Sequence, residues 1–219
     1  STFYQRMDNT LLYISPNFDG LQFMASYTSD RGDDRPSNLP AAGVADPDDK
    51  DRQAFSLAAS FTQGPMYVTI AYEQHYNAVI NGVLDGSENS KAWKVGGTYQ
   101  IDNLTLAAMY ENLDTGYDGL GDRDAFHLGA KFQMGQAYVM GSYSNAGDLD
   151  IDDTGAQMFA LGAGYDLSRR TGVYAVYATV RNDDNAGYGL IGSGKGKGVG
   201  VFEAGENVSG FQVGVTHNF

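Results

Sequence analysis

LTLAAMYENL, residues Leu104–Leu113, decides the fold. Leu104, Leu106, Ala108 and Tyr110 fall on one side of an extended chain, and Thr105, Ala107, Met109 and Glu111 on the other. Strand side chains alternate between faces, so this is a strand with one apolar and one mixed face. The pattern returns at Met66–His75, where Val68, Ile70 and Tyr72 oppose Tyr67, Thr69, Ala71 and Glu73. It returns near the end, where Phe211, Val213, Val215 and Phe219 oppose Gln212, Gly214 and Thr216. A tilted strand of about 9–11 residues crosses a bilayer. Repeated strands of this kind are the pattern of an all-β, antiparallel transmembrane β-barrel, apolar face to lipid and mixed face to water.

Composition narrows the class. No apolar run reaches the roughly 18 residues of a membrane-spanning helix. Mean hydropathy is −0.34, as polar as a soluble protein, because half of each strand faces water. There are 29 Gly and 15 Tyr against one Trp and five Pro, which suits crowded barrel walls and interfacial girdles. With no cysteine there is neither a disulfide framework nor a thiolate site. A soluble β-sandwich or lipocalin-like barrel also alternates, but it turns its bulky aliphatics inward. Here the small and polar face would have to fill that core.

The alternation predicts eleven strands: 8–15, 21–28, 53–62, 66–75, 91–100, 104–113, 124–133, 136–144, 156–166, 171–181 and 207–219. Links after the odd-numbered strands are tight (PNFDG, QGP, IDN, MGQ, LSRR), and the others are long, the longest being 29–52 and 182–206. Short turns belong on the periplasmic side and long loops outside. An antiparallel sheet closes on itself only with an even strand number, and an open sheet in lipid leaves two unsatisfied edges. Ser1–Met7 is too short for another crossing, so an incomplete barrel is expected.

Three stretches carry a resemblance. RMDNTLLYISPNFDGLQFMASYTSD (Arg6–Asp30) resembles the strand–turn–strand after the constriction loop of the general diffusion porins of Gram-negative bacteria. YDLSRRTGVYAVYATV (Tyr165–Val180) resembles their penultimate hairpin, and GFQVGVTHNF (Gly210–Phe219) their closing strand with its terminal Phe. The resemblance implies a sixteen-stranded barrel in the outer membrane, assembled as a homotrimer among lipid and lipopolysaccharide. Residues 1–219 would then be a single barrel domain lacking the first five strands and the constriction loop. It further implies that Arg6 belongs to a basic pore wall and that Phe219 is part of the assembly signal read by the insertion machinery. The implied function is passive diffusion of small hydrophilic solutes and ions, with no cofactor and no nucleic-acid partner. A substrate-biased channel, using tyrosines such as Tyr67, Tyr138 and Tyr177, is the alternative.

Charge is unevenly placed. The long loops 29–52, 76–90, 114–124, 145–155 and 182–206 hold 21 of the 27 acids and 7 of the 14 bases, a net of −14. The remainder is near neutral, so the acidity sits at the outward mouth, where it either raises local cation concentration or simply keeps loops solvated. Parity places Glu73, Lys94, Glu111, His127, Lys131 and Arg181 on the lumen side; Lys or Arg facing lipid at mid-depth costs about 2–4 kcal/mol. Asp148, Asp150, Asp152 and Asp153, like the run 46–51, offer oxygens that Ca²⁺ or Mg²⁺ prefers. The EF-hand pattern fails, since the sixth position from Asp148 is Asp153 and the twelfth is Phe159. A loose outer-loop divalent site, bridging to lipopolysaccharide phosphates, is the expectation there. An enzyme is disfavoured: neither Gly-x-Ser-x-Gly nor His-Glu-x-x-His occurs, and the Gly-rich run 192–200 has no helix to follow it. Lumen positions Gly96, Gly129, Ala160 and Gly162 are too small to plug an interior, which favours an open pore over a purely structural barrel.

Deleting Phe219 from the full-length protein is expected to lower the fraction inserted into the outer membrane. Normal insertion would leave Phe219 as an ordinary interfacial aromatic.

Overall fold

The computed structural model describes residues 7, 9–29, 53–76, 89–117, 119–190 and 203–219. Within them lie eleven strands: β1 (Thr10–Ile14), β2 (Leu21–Thr28), β3 (Ala54–Gln63), β4 (Met66–His75), β5 (Ser90–Ile101), β6 (Leu104–Asp114), β7 (Asp122–Met134), β8 (Ala137–Ala146), β9 (Ala156–Asp166), β10 (Thr171–Asn182) and β11 (Val208–His217). They form one sheet in chain order from β1 to β11. Every register given is antiparallel. The predicted strands all recur, with ends shifted by a few residues. β1 is shorter than expected because Ser15 has already turned: its hydroxyl donates to Pro16 O and accepts from Phe23 N.

Tight links hold the strands in register. In the β1–β2 turn, Asp19 and Gly20 take positive φ of 51° and 97°, and Gly20 N donates to Asn17 Oδ1 at 2.6 Å. A Cβ on Gly20 would collide with the carbonyl oxygen of Thr62. Gly64 and Gly135 serve the β3–β4 and β7–β8 turns, also at positive φ. Between β9 and β10, Ser168 Oγ accepts from the amides of Arg170 and Thr171.

The chain groups into two compact units. One holds 1–63, 68–95 and 111–122, the other 64–67, 96–110 and 123–219. In the first, Tyr13, Ala25 and Leu57 share one face, and Leu12, Ser26 and Ser56 the other. In the second, Phe132, Val139, Ala163, Ala175 and Val213 form one row, and Tyr138, Gly164, Tyr174 and Gly214 a row on the opposite face. The first of these faces is apolar and exposed: Leu161, Phe211, Val213 and Val215 are 68–70 % exposed. Rings pack across it, with Tyr143 4.7 Å from Phe159 and 5.6 Å from Phe126. Such a face suits hydrocarbon.

Substituting Gly20→Ala is expected to cost more than about 1 kcal/mol, since alanine must then hold positive φ against a backbone oxygen. Gly64→Ala, whose Cβ meets nothing within 4 Å, is expected to cost less. Urea unfolding midpoints in lipid vesicles compare the two.

Candidate functional site: the polar face of the sheet

The polar face follows from strand parity, and its charges are met by neighbours on the same face. In the first unit, Ser56 on β3 donates to Glu73 Oε2 at 2.6 Å, and His75 Nε2 lies 2.6 Å from Glu73 Oε1. His75 is fully buried. Lys94 on β5 pairs with Glu111 on β6 at 2.6 Å. Lys94 is partly exposed while Glu111 is only 7 % exposed, so the carboxylate depends on that ammonium for its charge balance. Ser26, Ser56, Ala58, Ala71, Glu73 and Lys94 help line an open hollow of about 250 Å³. This wall is charged but largely self-neutralised.

In the second unit, His127 Nδ1 lies 2.8 Å from Ser144 Oγ. Lys131 Nζ sits 4.3 Å from the centre of the Tyr138 ring. That ring lies against Gly164, and the Tyr174 ring lies against Gly214; a Cβ on either glycine would collide with the hydroxyl end of the ring. Gln212 Nε2 donates to Tyr174 Oη at 3.1 Å. The two tyrosine rings therefore sit against the wall where glycines on the next strand make room for them. At the other end of β7, Arg123 is 8 % exposed and donates to Tyr188 Oη, with its guanidinium carbon 5.8 Å from that ring.

The expected lumen set is thus largely brought to one kind of face. Glu73, Lys94 and Glu111 occupy it in the first unit, and His127 and Lys131 in the second. Arg6 lies outside the described residues, as do the acidic run 46–51 and the Gly-rich run 192–200. Arg181 must be corrected. Val173 pairs with Tyr165 and Tyr177 with Leu161 and Phe211, so odd-numbered residues of β10 share the apolar face. Arg181 pairs with Gln157 there, at the strand's outer end, with its guanidinium 5.7 Å from the Phe159 ring. The same register moves Tyr177 to the apolar face and puts Tyr174 on the polar one. Alternation carried from Tyr165 through the short β9–β10 turn contains that answer.

In the β8–β9 loop one aspartate side chain bonds within the loop, and two backbone carbonyls bond to Asn185 in the segment after β10. Asp148 Oδ1 accepts from Gly155 N at 2.7 Å, Asp152 O accepts from Asn185 Nδ2 and Asp153 O from Asn185 N. Among the described residues, no three His, Asp or Glu side chains gather as a metal-binding group.

The family described as Gram-negative porin matches residues 1–185. The chain belongs to the Gram-negative porin family. An outer membrane porin protein of Bordetella pertussis is 27 % identical over 227 residues, covering 90 % of this chain and 56 % of that protein. A monosaccharide porin of Halomonas is 30 % identical over 135 residues, 61 % of this chain and 34 % of its own length. An anion-selective porin from Comamonas acidovorans has the same fold, with a TM-score of 0.74 at 24 % identity, covering 97 % of this chain and 60 % of that one. The chain therefore spans little more than half the length of the Bordetella relative. Its sheet has the fold of an outer-membrane porin.

Lys94→Met is expected to destabilise the porin by about 1–3 kcal/mol, because it strands the buried Glu111 carboxylate in the wall. Glu111→Gln, which leaves only a partly exposed lysine unpaired, is expected to cost less. Urea unfolding in lipid vesicles reads both.

Proposed function

We propose that this chain is the C-terminal portion of an outer-membrane channel for passive diffusion of small hydrophilic solutes and ions, working as a homotrimer. The single observation that carries the reading is the division of the strands into an apolar face and a polar face floored by small residues. Gly129, Ser142, Ala160 and Gly162 leave space beside the wall, where a plugged barrel needs bulky, interlocking side chains. Strands missing from the closed barrel, an inward-folded constriction and the basic wall around Arg6 belong to this proposal. So do the contacts with lipid and lipopolysaccharide and any loosely held Ca²⁺ or Mg²⁺ at the outer loops. Phe219 is proposed as the assembly signal.

A substrate-biased channel is the second reading. What favours it is the pair Tyr138 and Tyr174, set against glycines on the lumen side. Flat aromatic faces can stack the apolar faces of sugar rings. Liposome swelling separates the two readings: a general pore admits solutes in order of size, and a biased one admits a favoured sugar faster than its size allows.

In planar bilayers the full-length protein is expected to form stable conducting pores with a modest cation preference that fades at high salt. The net of −14 on the outer loops supplies the bias. At 0.15 M salt the Debye length is about 8 Å, so the mouth charges act on entering ions and not deep in the lumen. The zero-current potential under a KCl gradient measures the preference. Anion preference at low salt would show that the constriction, not the mouth, sets selectivity.

A further inference from the structure

Two lysines lie on the lumen wall among the described residues, and they differ. Lys94 is consumed by Glu111 at 2.6 Å. Lys131 has no carboxylate partner within salt-bridge distance among the described residues; its ammonium rests only against the Tyr138 ring, 4.3 Å from the centroid. That ring lies against Gly164. Beside Lys131 the wall sinks into an open hollow of about 230 Å³. Ala107, Gly129, Ala160 and Gly162 shape its floor, Met140 and Val176 its sides, and Thr105 and Ser142 add hydroxyls. The hollow exists because neighbouring strands place small residues in register: Gly129 faces Ser142, and Ser142 faces Ala160. It is apolar, concave and bordered by one uncompensated cation.

We propose that this hollow is a binding subsite for solutes that join a carboxylate to a flat apolar body, such as arene carboxylates. The carboxylate meets the Lys131 ammonium, and the ring lies in the small-residue hollow beside Tyr138. Each half fits one part of the wall. A charged group on the solute replaces the counter-ion that the wall does not supply. A flat ring fits a floor of glycine and alanine, where a fully hydrated solute gains nothing from the apolar surface. The Lys94 hollow in the first unit lacks this chemistry, because Glu111 already neutralises its lysine. Lys131 also lies nine residues along β7 from Asp122 at the outer end, roughly 30 Å at strand rise. That is several Debye lengths from the mouth, so the acidic loops do not cancel its attraction.

The proposal rests on the reading of the protein as an open pore, and the experiment separates the two. The full-length protein in planar bilayers is titrated with benzoate, with acetate as the anion lacking a ring and benzyl alcohol as the ring lacking a charge. Benzoate is expected to reduce the KCl current in a saturable way, at concentrations where neither control does. Lys131→Met is expected to raise the half-blocking concentration about fivefold, as befits one partly exposed charge pair. Gly129→Val fills the hollow from a position where a Cβ meets only ordinary contacts, the nearest being His127 Nε2 at 3.5 Å. It is expected to raise the half-blocking concentration of benzoate. Equal effects of benzoate and acetate, or an unchanged benzoate block in Lys131→Met, would overturn the subsite. Absence of any KCl current would instead count against the pore. In that case, saturation-transfer NMR of benzoate with the detergent-solubilised protein still decides the subsite: loss of the signal in Lys131→Met supports it, and an equal signal in both proteins overturns it.

Discussion

Hydrocarbon offers a backbone amide nothing to bond to. Every N–H and C=O of a segment in the bilayer must therefore find its partner within protein, and for strands that means a neighbouring strand. This constraint explains why β1 to β11 pair in simple chain order, antiparallel, with tight turns at alternate ends. It also explains why register matters so much. A slip of one residue would carry every apolar side chain of a strand to the water side and every polar one to lipid. Turns that fix register are accordingly built with care, as at Gly20, where the backbone takes a conformation that a side chain would obstruct. Among the described residues β1 and β11 stand at the two ends of the strand order.

Charge obeys the second rule of the environment. An ionised group beside lipid is costly, so the strands confine most of theirs to the polar face. There they are met in different ways. Glu73 takes hydrogen bonds from Ser56 and pairs with His75, Lys94 takes a carboxylate, and Lys131 takes a tyrosine ring. Among the described residues, the lysine of the first unit's wall is paired with a carboxylate and that of the second is not. The ends of the strands are less constrained. Arg181 sits on the apolar face, at the outer end of β10, where an arginine can reach the interface, with its guanidinium over the Phe159 ring.

Alternation along each strand is a local property, and it was legible in the sequence. Leu104–Leu113 reads correctly because four successive pairs of residues, from Leu104 to Glu111, vote for the same two faces. Lys94, His127 and Lys131 were placed on the lumen side by the same logic. Arg181 and Tyr177 share one parity, and both fall on the apolar face because the register sets that parity of β10 opposite Tyr165 and Leu161. The roles of Tyr174, Arg123 and Ser56 were not legible, because each depends on a residue far along the chain: Gly214, Tyr188 and Glu73. Cross-strand partners follow from register, and register depends on turns whose length the sequence shows but whose geometry it does not. The hollow beside Lys131 is of this kind, made from small residues on four strands, β6 to β9, and closed by Val176 on β10.

The central claim is that β10 turns one face to lipid and the other to a water-filled lumen. The chain contains no cysteine, so single cysteines can be placed along the strand without background. The direct measurement is their rate of reaction with a membrane-impermeant thiol reagent, in the full-length protein in lipid vesicles. Cysteines replacing Tyr174, Val176 and Ala178 should react readily, and those replacing Val173, Ala175 and Tyr177 should be protected. Uniform reactivity along β10, or the opposite alternation, would contradict the account.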